Sequence, residues 1–162
     1  MRAAALGALA AGAVIAGGCG SSKAPVSKDG SVSTAAFIAS ADAVCRSSES
    51  ALAPVLARES ATLAAKPPKV AAGATALDEA SVIMRAGVGR LRRLAEPAGD
   101  TRTIASMLGA LAGEASALSA YARALRSRNT AAQATLTSEI TAYSARYRGL
   151  ARSYGFRRCG HG

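Results

Sequence analysis

Apolar residues recur every three or four positions in four stretches of the chain. The last stretch shows this spacing most clearly, at Leu136, Ile140, Tyr143, Tyr147, Leu150 and Tyr154. Such a spacing places the side chains on one face of an α-helix. The same spacing recurs within 38–55, 77–91 and 104–125. The pattern therefore predicts four amphipathic helices, and we interpret the tyrosines as core residues rather than as a face that stacks a ligand.

Short segments that favour turns separate the four stretches, at 67–68, 97–100 and 129–130. Short connections place successive helices side by side in antiparallel order. The sequence therefore predicts an all-α domain over residues 34–162, folded as an antiparallel up-down-up-down four-helix bundle. Pro54 lies inside the first stretch, and a proline inside a helix predicts a kink there.

Three sets of residues predict where helices begin and end. Asp100 is placed to cap the third helix, and Thr130 with Gln133 matches a capping box for the fourth. Gly155 is placed to end the fourth helix in a left-handed conformation, with Phe156 packing back against it.

Composition argues against a sheet protein and against an enzyme. Half of the residues are apolar, alanine is the most frequent, and only 4% are aromatic. The sequence has no GxSxG, HExxH or glycine-rich phosphate loop. Asp78 and Glu79 are neighbours on a helix, so their side chains diverge. We therefore expect no catalytic residue, no metal site, no cofactor and no enzymatic activity.

Residues 1–18 have the features of an export signal. Arg2 precedes an apolar run at 3–16, which is shorter than the roughly 18 residues of a membrane span. Ala16-Gly17-Gly18-Cys19 follows and resembles a bacterial lipobox, although leucine is more usual at the first position. The resemblance implies that Cys19 is lipidated and that the mature chain begins there.

Residues 19–33 contain Gly, Ser, Pro and Lys without an apolar period, so they predict a lipidated flexible tether. Together these features predict a protein anchored by lipid on the extracytoplasmic face of the cell membrane. Two alternatives remain open: an ordinary secretory signal cut near Ala16 or Gly18, and a retained apolar helix.

Two further cysteines, Cys45 and Cys159, lie near the start of the first helix and beyond the end of the fourth. In an up-down-up-down bundle these two ends are neighbours, and an exported protein is in a compartment that permits disulfides. A disulfide is one interpretation of the pair. The others are free or intermolecular thiols, and a metal or redox site with His161, which would need further ligands.

The two ends of the helical region share a wider pattern. Phe37, Ala41, Asp42 and Cys45 form an F-x-x-x-A-D-x-x-C start, and 154–160 reads Y-G-x-x-x-C-G. This arrangement, behind a lipobox, resembles a group of small actinobacterial lipoproteins with a helical domain. The resemblance implies the compartment and a Cys45–Cys159 disulfide, and it implies no chemistry.

The net charge of +10 is unevenly distributed. The predicted topology gathers the tether, the connection between the second and third helices, and the chain end at one end of the bundle. We call this the basic end and define it by its arginines, which are Arg90, Arg92, Arg93, Arg102, Arg146, Arg148, Arg152, Arg157 and Arg158. Anionic lipid headgroups or acidic wall polymers are the expected partners, and a solvated surface is the alternative. Nucleic acid is not expected outside the cytoplasm.

The sequence thus predicts a non-catalytic binding or accessory module of the cell envelope, with an envelope protein as a further partner. The alternative is a carrier of a small ligand between the helices. A carrier requires a cavity of several hundred Å³, roughly 300 or more, whereas an accessory module does not.

Overall fold

The computed structural model describes residues 31–161, and these residues form four helices and no sheet. The helices are α1 (Thr34–Ala64), α2 (Val70–Leu91), α3 (Thr101–Arg126) and α4 (Thr130–Tyr154). Each helix packs against the next one along the chain. The predicted all-α fold of four helices is confirmed. Pro54 lies inside a single continuous α1. A kink at Pro54 and the up-down order stay predictions, and the segments 1–18 and most of 19–33, with Cys19, lie outside the described residues.

The helix ends agree only in part with the sequence predictions. Gly155 ends α4 at a φ of 98°, and the N–H of Phe156 donates to the carbonyl of Ala151, as predicted. The capping box at Thr130 was wrong, because the side chain of Asn129 caps α4 by accepting from the N–H of Ala132. Asp100 stands at the start of α3, but its side chain makes no capping bond there.

The core is largest at the end of the domain where α1 begins and α4 ends. All four helices contribute to this cluster, together with residues beyond α4, and its largest fully buried side chains are Phe37, Ile104 and Met107. Two smaller clusters, built largely from alanines, lie further along the helices, around Leu77 and Val55. Alanine brings helices close together but buries little area per contact. Packing is therefore strongest at the end that contains the chain terminus.

Helices α1 and α4 are not joined by direct backbone packing. No Cα atom of α1 lies within 8 Å of a Cα atom of α4. Residues 155–161, which we call the C-terminal tail, occupy the space between them. Gly160 lies so close to α4 that a Cβ atom on it would be 2.8 Å from the Cβ of Ala151. The tail therefore closes the fourth side of the domain at this end.

Candidate functional site

The C-terminal tail is held to α1 by one carboxylate. Asp42 is buried on α1 and accepts hydrogen bonds from the backbone N–H groups of Arg157, Arg158 and Cys159, at 3.0, 2.9 and 3.0 Å. The tail presents three consecutive donors to one acceptor because Gly155 turns the chain at the end of α4. Burial alone would raise the pKa of Asp42. These hydrogen bonds and the nearby His161 outweigh it, so the pKa lies below its ordinary value.

The same tail is joined to α1 through its cysteine. The sulfur atoms of Cys45 and Cys159 are 2.06 Å apart and the Cα atoms 5.3 Å apart, which is the geometry of a disulfide. The hydroxyl of Tyr147 lies 3.6 Å from the sulfur of Cys45. Of the three interpretations left open by the sequence, the geometry agrees with the disulfide. Within residues 31–161, no group of three or more His, Cys, Asp or Glu side chains is arranged to hold a metal ion.

Asp100 connects three parts of the chain at this end. Its carboxylate accepts a hydrogen bond from the hydroxyl of Tyr154 at 2.5 Å and another from Thr34 at 3.3 Å. Burial, followed by this hydrogen bond to Asp100, raises the pKa of Tyr154. The start of α1, the connection before α3 and the end of α4 therefore meet here. The predicted basic end requires these three parts of the chain to lie together.

An aromatic cluster fills the space behind this junction. The ring of Phe156 stacks on that of Tyr154 at a centroid distance of 5.1 Å, and the edge of Phe37 packs against both at 6.0 Å. Tyr147 is also buried, as the core interpretation of the tyrosines predicts, whereas Tyr143 is 37% exposed. The basic end therefore lies against a packed aromatic cluster.

The arginines predicted for the basic end lie at the surface. All of them are exposed except Arg90, which is partly buried. Two ion pairs between side chains, Arg58 with Glu79 and Arg126 with Asp78, involve arginines outside this set. Arg148 donates to Ser144 at 2.7 Å. Burial raises the pKa of Glu114, and the hydrogen bond with Ser144 and the charge of Arg148 offset only part of this rise.

Few acids lie at this end, and Glu114 also interacts with the charge of Arg148. Asp42 is occupied by backbone donors, and Asp100 by the hydroxyls of Tyr154 and Thr34. Glu96 is exposed on the connection between α2 and α3. A surface with many cations and few available carboxylates attracts anions over a Debye length of about 8 Å at physiological salt. Exposed arginines therefore outnumber carboxylates at this end.

The spaces between the helices differ in size and position. A cavity of about 80 Å³ lies between α1, α2 and α3, lined among others by Cys45, Glu49, Met84 and Leu111. Ligand sites of drug-sized molecules occupy about 300–1,000 Å³, so this cavity is too small for such a ligand. A larger depression of about 530 Å³ opens on the surface between α1 and α2.

Sequence reasoning missed two features of this end. It counted Asp42 only as an acid, and the A-D-x-x-C pattern gave no indication that the carboxylate binds the tail. It treated Arg90 as one surface cation among several, yet Arg90 is held by Ser47 and Ser48 of α1.

None of the helices in residues 31–161 is long and apolar enough to span a membrane. Compared with protein-family models, curated proteins and solved structures, the chain matches none of them.

Proposed function

We propose that this protein is a lipid-anchored, extracytoplasmic accessory module of the cell envelope, without catalytic activity, whose basic end contacts anionic lipid headgroups. The lipobox-like segment at 16–19 supports the anchor at Cys19. The tether that follows would hold the domain close to the bilayer. A further envelope protein would bind elsewhere on the helical surface.

A single observation carries the proposal: exposed arginines lie at the end of the domain where α1 begins, directly after the predicted tether. A basic residue close to an anionic membrane surface contributes about 1 kcal/mol. Several such residues would orient a tethered domain on the membrane. A long-range contact of this kind weakens as salt rises, because mobile ions screen it.

Intact mass measurement of the protein extracted from its own membranes tests the anchor. We expect the mass of a chain that begins at Cys19, plus its acyl groups, minus two hydrogens for Cys45–Cys159. A mass without acyl groups would reject the anchor and favour ordinary secretion.

Vesicle flotation of an unlipidated chain beginning at Gly20 tests the surface contact. We expect binding to vesicles containing phosphatidylglycerol but not to pure phosphatidylcholine, and a loss in Arg157→Gln/Arg158→Gln. Lys66→Gln/Lys69→Gln removes the same charge from the connection between α1 and α2 and should leave binding unchanged. Equal binding to both vesicle types at low salt would reject the lipid contact, and competition by an acidic wall polymer without vesicle binding would replace it.

A further inference from the structure

The surface depression between α1 and α2 combines an apolar floor with two cations. Ala51 of α1 and Ile83, Ala86 and Gly89 of α2 form the floor, and the guanidinium groups lie toward the C-terminal end of α2. From Ile83 to Arg90 the depression follows about 10 Å of α2, and Arg93 lies beyond the helix end. Its lining contains no acidic residue. The lining therefore has the chemistry of a site for an amphiphile with a negative group at one end.

Arg90 is fixed in place but lacks a negative partner. Its guanidinium donates to the hydroxyl of Ser48 at 2.9 Å and to Ser47 at 3.4 Å. Its Nε is buried and has no hydrogen-bond partner among the described residues. Gly87 makes room for this arrangement, because a Cβ atom there would lie 2.8 Å from the Oγ of Ser48. A partly buried cation held only by neutral groups gains when an anion binds beside it.

Arg93 lies two residues beyond the end of α2 and supplies a second guanidinium to the same depression. It lies over Gly89, where a Cβ atom would be 3.7 Å from its Nη1. Both guanidinium groups line the depression, and like charges so placed repel each other. A phosphate group between them offsets this repulsion and matches the planar geometry of guanidinium donors. The two cations would repel the quaternary ammonium of a zwitterionic choline headgroup, although that lipid carries the same phosphate.

We propose that this depression binds one phospholipid with an anionic headgroup, with the phosphate on Arg90 and Arg93 and part of one acyl chain on Ala51, Ile83 and Ala86. The depression is open to solvent along one side, so it would cover one face of the lipid and leave the other exposed. Its length accommodates part of an acyl chain. This inference rests on the proposed function, since membrane attachment supplies the lipid. It adds a single saturable site to the diffuse contact of the basic end.

Native mass spectrometry of the full-length protein in neutral detergent tests the site. Dihexanoylphosphatidylglycerol serves as the anionic probe and dihexanoylphosphatidylcholine as the zwitterionic control. We expect one bound phosphatidylglycerol per chain, with half-saturation at a concentration at least tenfold lower than for phosphatidylcholine. Equal binding of the two lipids, or continued addition of further molecules without saturation at one, would overturn the proposal.

Two variants separate the site from general electrostatics. Arg90→Gln/Arg93→Gln removes the cations, and Ala86→Trp fills the floor while keeping every charge; each should weaken binding at least tenfold. Gly89→Leu repeats the second test if Ala86→Trp does not fold, as judged by circular dichroism. Lys66→Gln/Lys69→Gln removes the same charge outside both the depression and the basic end, and should change binding less than twofold.

The outcomes distinguish this site from the proposed function. Equal losses in the Arg90/Arg93 variant and in the Lys66/Lys69 variant, or full binding in both floor variants, would reject the site. If vesicle flotation still depends on Arg157 and Arg158 in that case, the basic end retains its function. If the protein also does not float with phosphatidylglycerol vesicles, the proposed lipid contact is rejected as a whole. An acidic peptide that displaces the probe while Ala86→Trp still binds the probe would identify a protein partner instead.

Discussion

The backbone N–H of Cys159 donates a hydrogen bond of 3.0 Å to the carboxylate of Asp42, about one helical turn before the cysteine to which Cys159 is bonded. The C-terminal tail is therefore attached to α1 twice, by a covalent bond and by a buried carboxylate. Because the backbones of α1 and α4 stay more than 8 Å apart, these attachments close the domain on that side. They also fix Arg157 and Arg158 at the basic end.

Replacing Asp42 with Asn should destabilise the domain by about 1–3 kcal/mol, because buried N–H groups of the tail lose an acceptor. Asn keeps one carbonyl oxygen but presents an amide donor toward other donors. Urea denaturation of oxidised protein measures the difference. Glu96→Gln, an acid-to-amide change on the exposed connection before α3, should shift the free energy of unfolding by less than about 0.5 kcal/mol. Equal effects of both substitutions would contradict a specific role for Asp42.

The stability supplied by Asp42 should depend on pH in one direction. Its pKa is lower in the folded protein than in the unfolded chain, so its stabilisation is complete above the unfolded value of about 3.9 and decreases as pH falls through the folded value. The difference in unfolding free energy between the wild type and Asp42→Asn should therefore narrow below about pH 4. Denaturation series from pH 7 to 2.5 measure it. A difference that widens on acidification would show that the carboxylate is not the stabilising form.

Removing the disulfide should cost a large part of the stability of this alanine-rich domain. The bond closes a loop with a sequence separation of 114 residues, for which loop-closure entropy gives about 4–5 kcal/mol. We expect Cys45→Ala/Cys159→Ala to unfold at much lower urea, and reducing agent to have the same effect on the wild type. Cys19→Ser should leave the urea midpoint unchanged. If complete reduction leaves the urea midpoint of the wild type unchanged, the attachment of the C-terminal tail does not close the domain.

The helices could be predicted from the sequence because their signal is local. Spacing and turn residues placed α1 to α4 within a few residues, and Gly155 needed only the left-handed end of a helix. The caps were less predictable, because side chains had alternatives. The side chain of Asn129, and not that of Thr130, caps α4. The carboxylate of Asp100 accepts from the hydroxyl of Tyr154, which lies 54 positions away, instead of capping α3.

The features that define the candidate site depend on distant pairs. Asp42 meets the N–H of Arg157 across 115 positions, and Arg90 meets Ser48 across 42. Neither pair has a periodic or motif signature, because backbone donors and serine hydroxyls occur throughout the chain. The depression between α1 and α2 likewise depends on how closely Gly87 lets the two helices approach. The sequence identified the charge of this end but not its contacts.

The packing of α3 against α4 gives a final prediction, at Gly113. A Cβ atom there would lie 2.5–2.8 Å from the ring of Tyr143, whereas a Cβ at Gly109, on the same helix, would meet nothing within 4 Å. Glycine costs a helix about 1 kcal/mol relative to alanine. Gly109→Ala should therefore stabilise the protein by about 1 kcal/mol, and Gly113→Ala should gain nothing or destabilise it, because the ring must move.

Repeating both glycine substitutions in a Tyr143→Ala variant tests whether the ring causes the difference. Without the ring, Gly113→Ala should recover the full helix-propensity gain of about 1 kcal/mol, so the double-mutant cycle should show coupling between the two positions. Gly109→Ala should contribute equally with and without Tyr143. Thermal and urea unfolding of the variants measure both cycles. If Gly113→Ala stabilises the wild type as much as Gly109→Ala does, the ring of Tyr143 does not rest on α3, and α4 packs less closely than the structure shows.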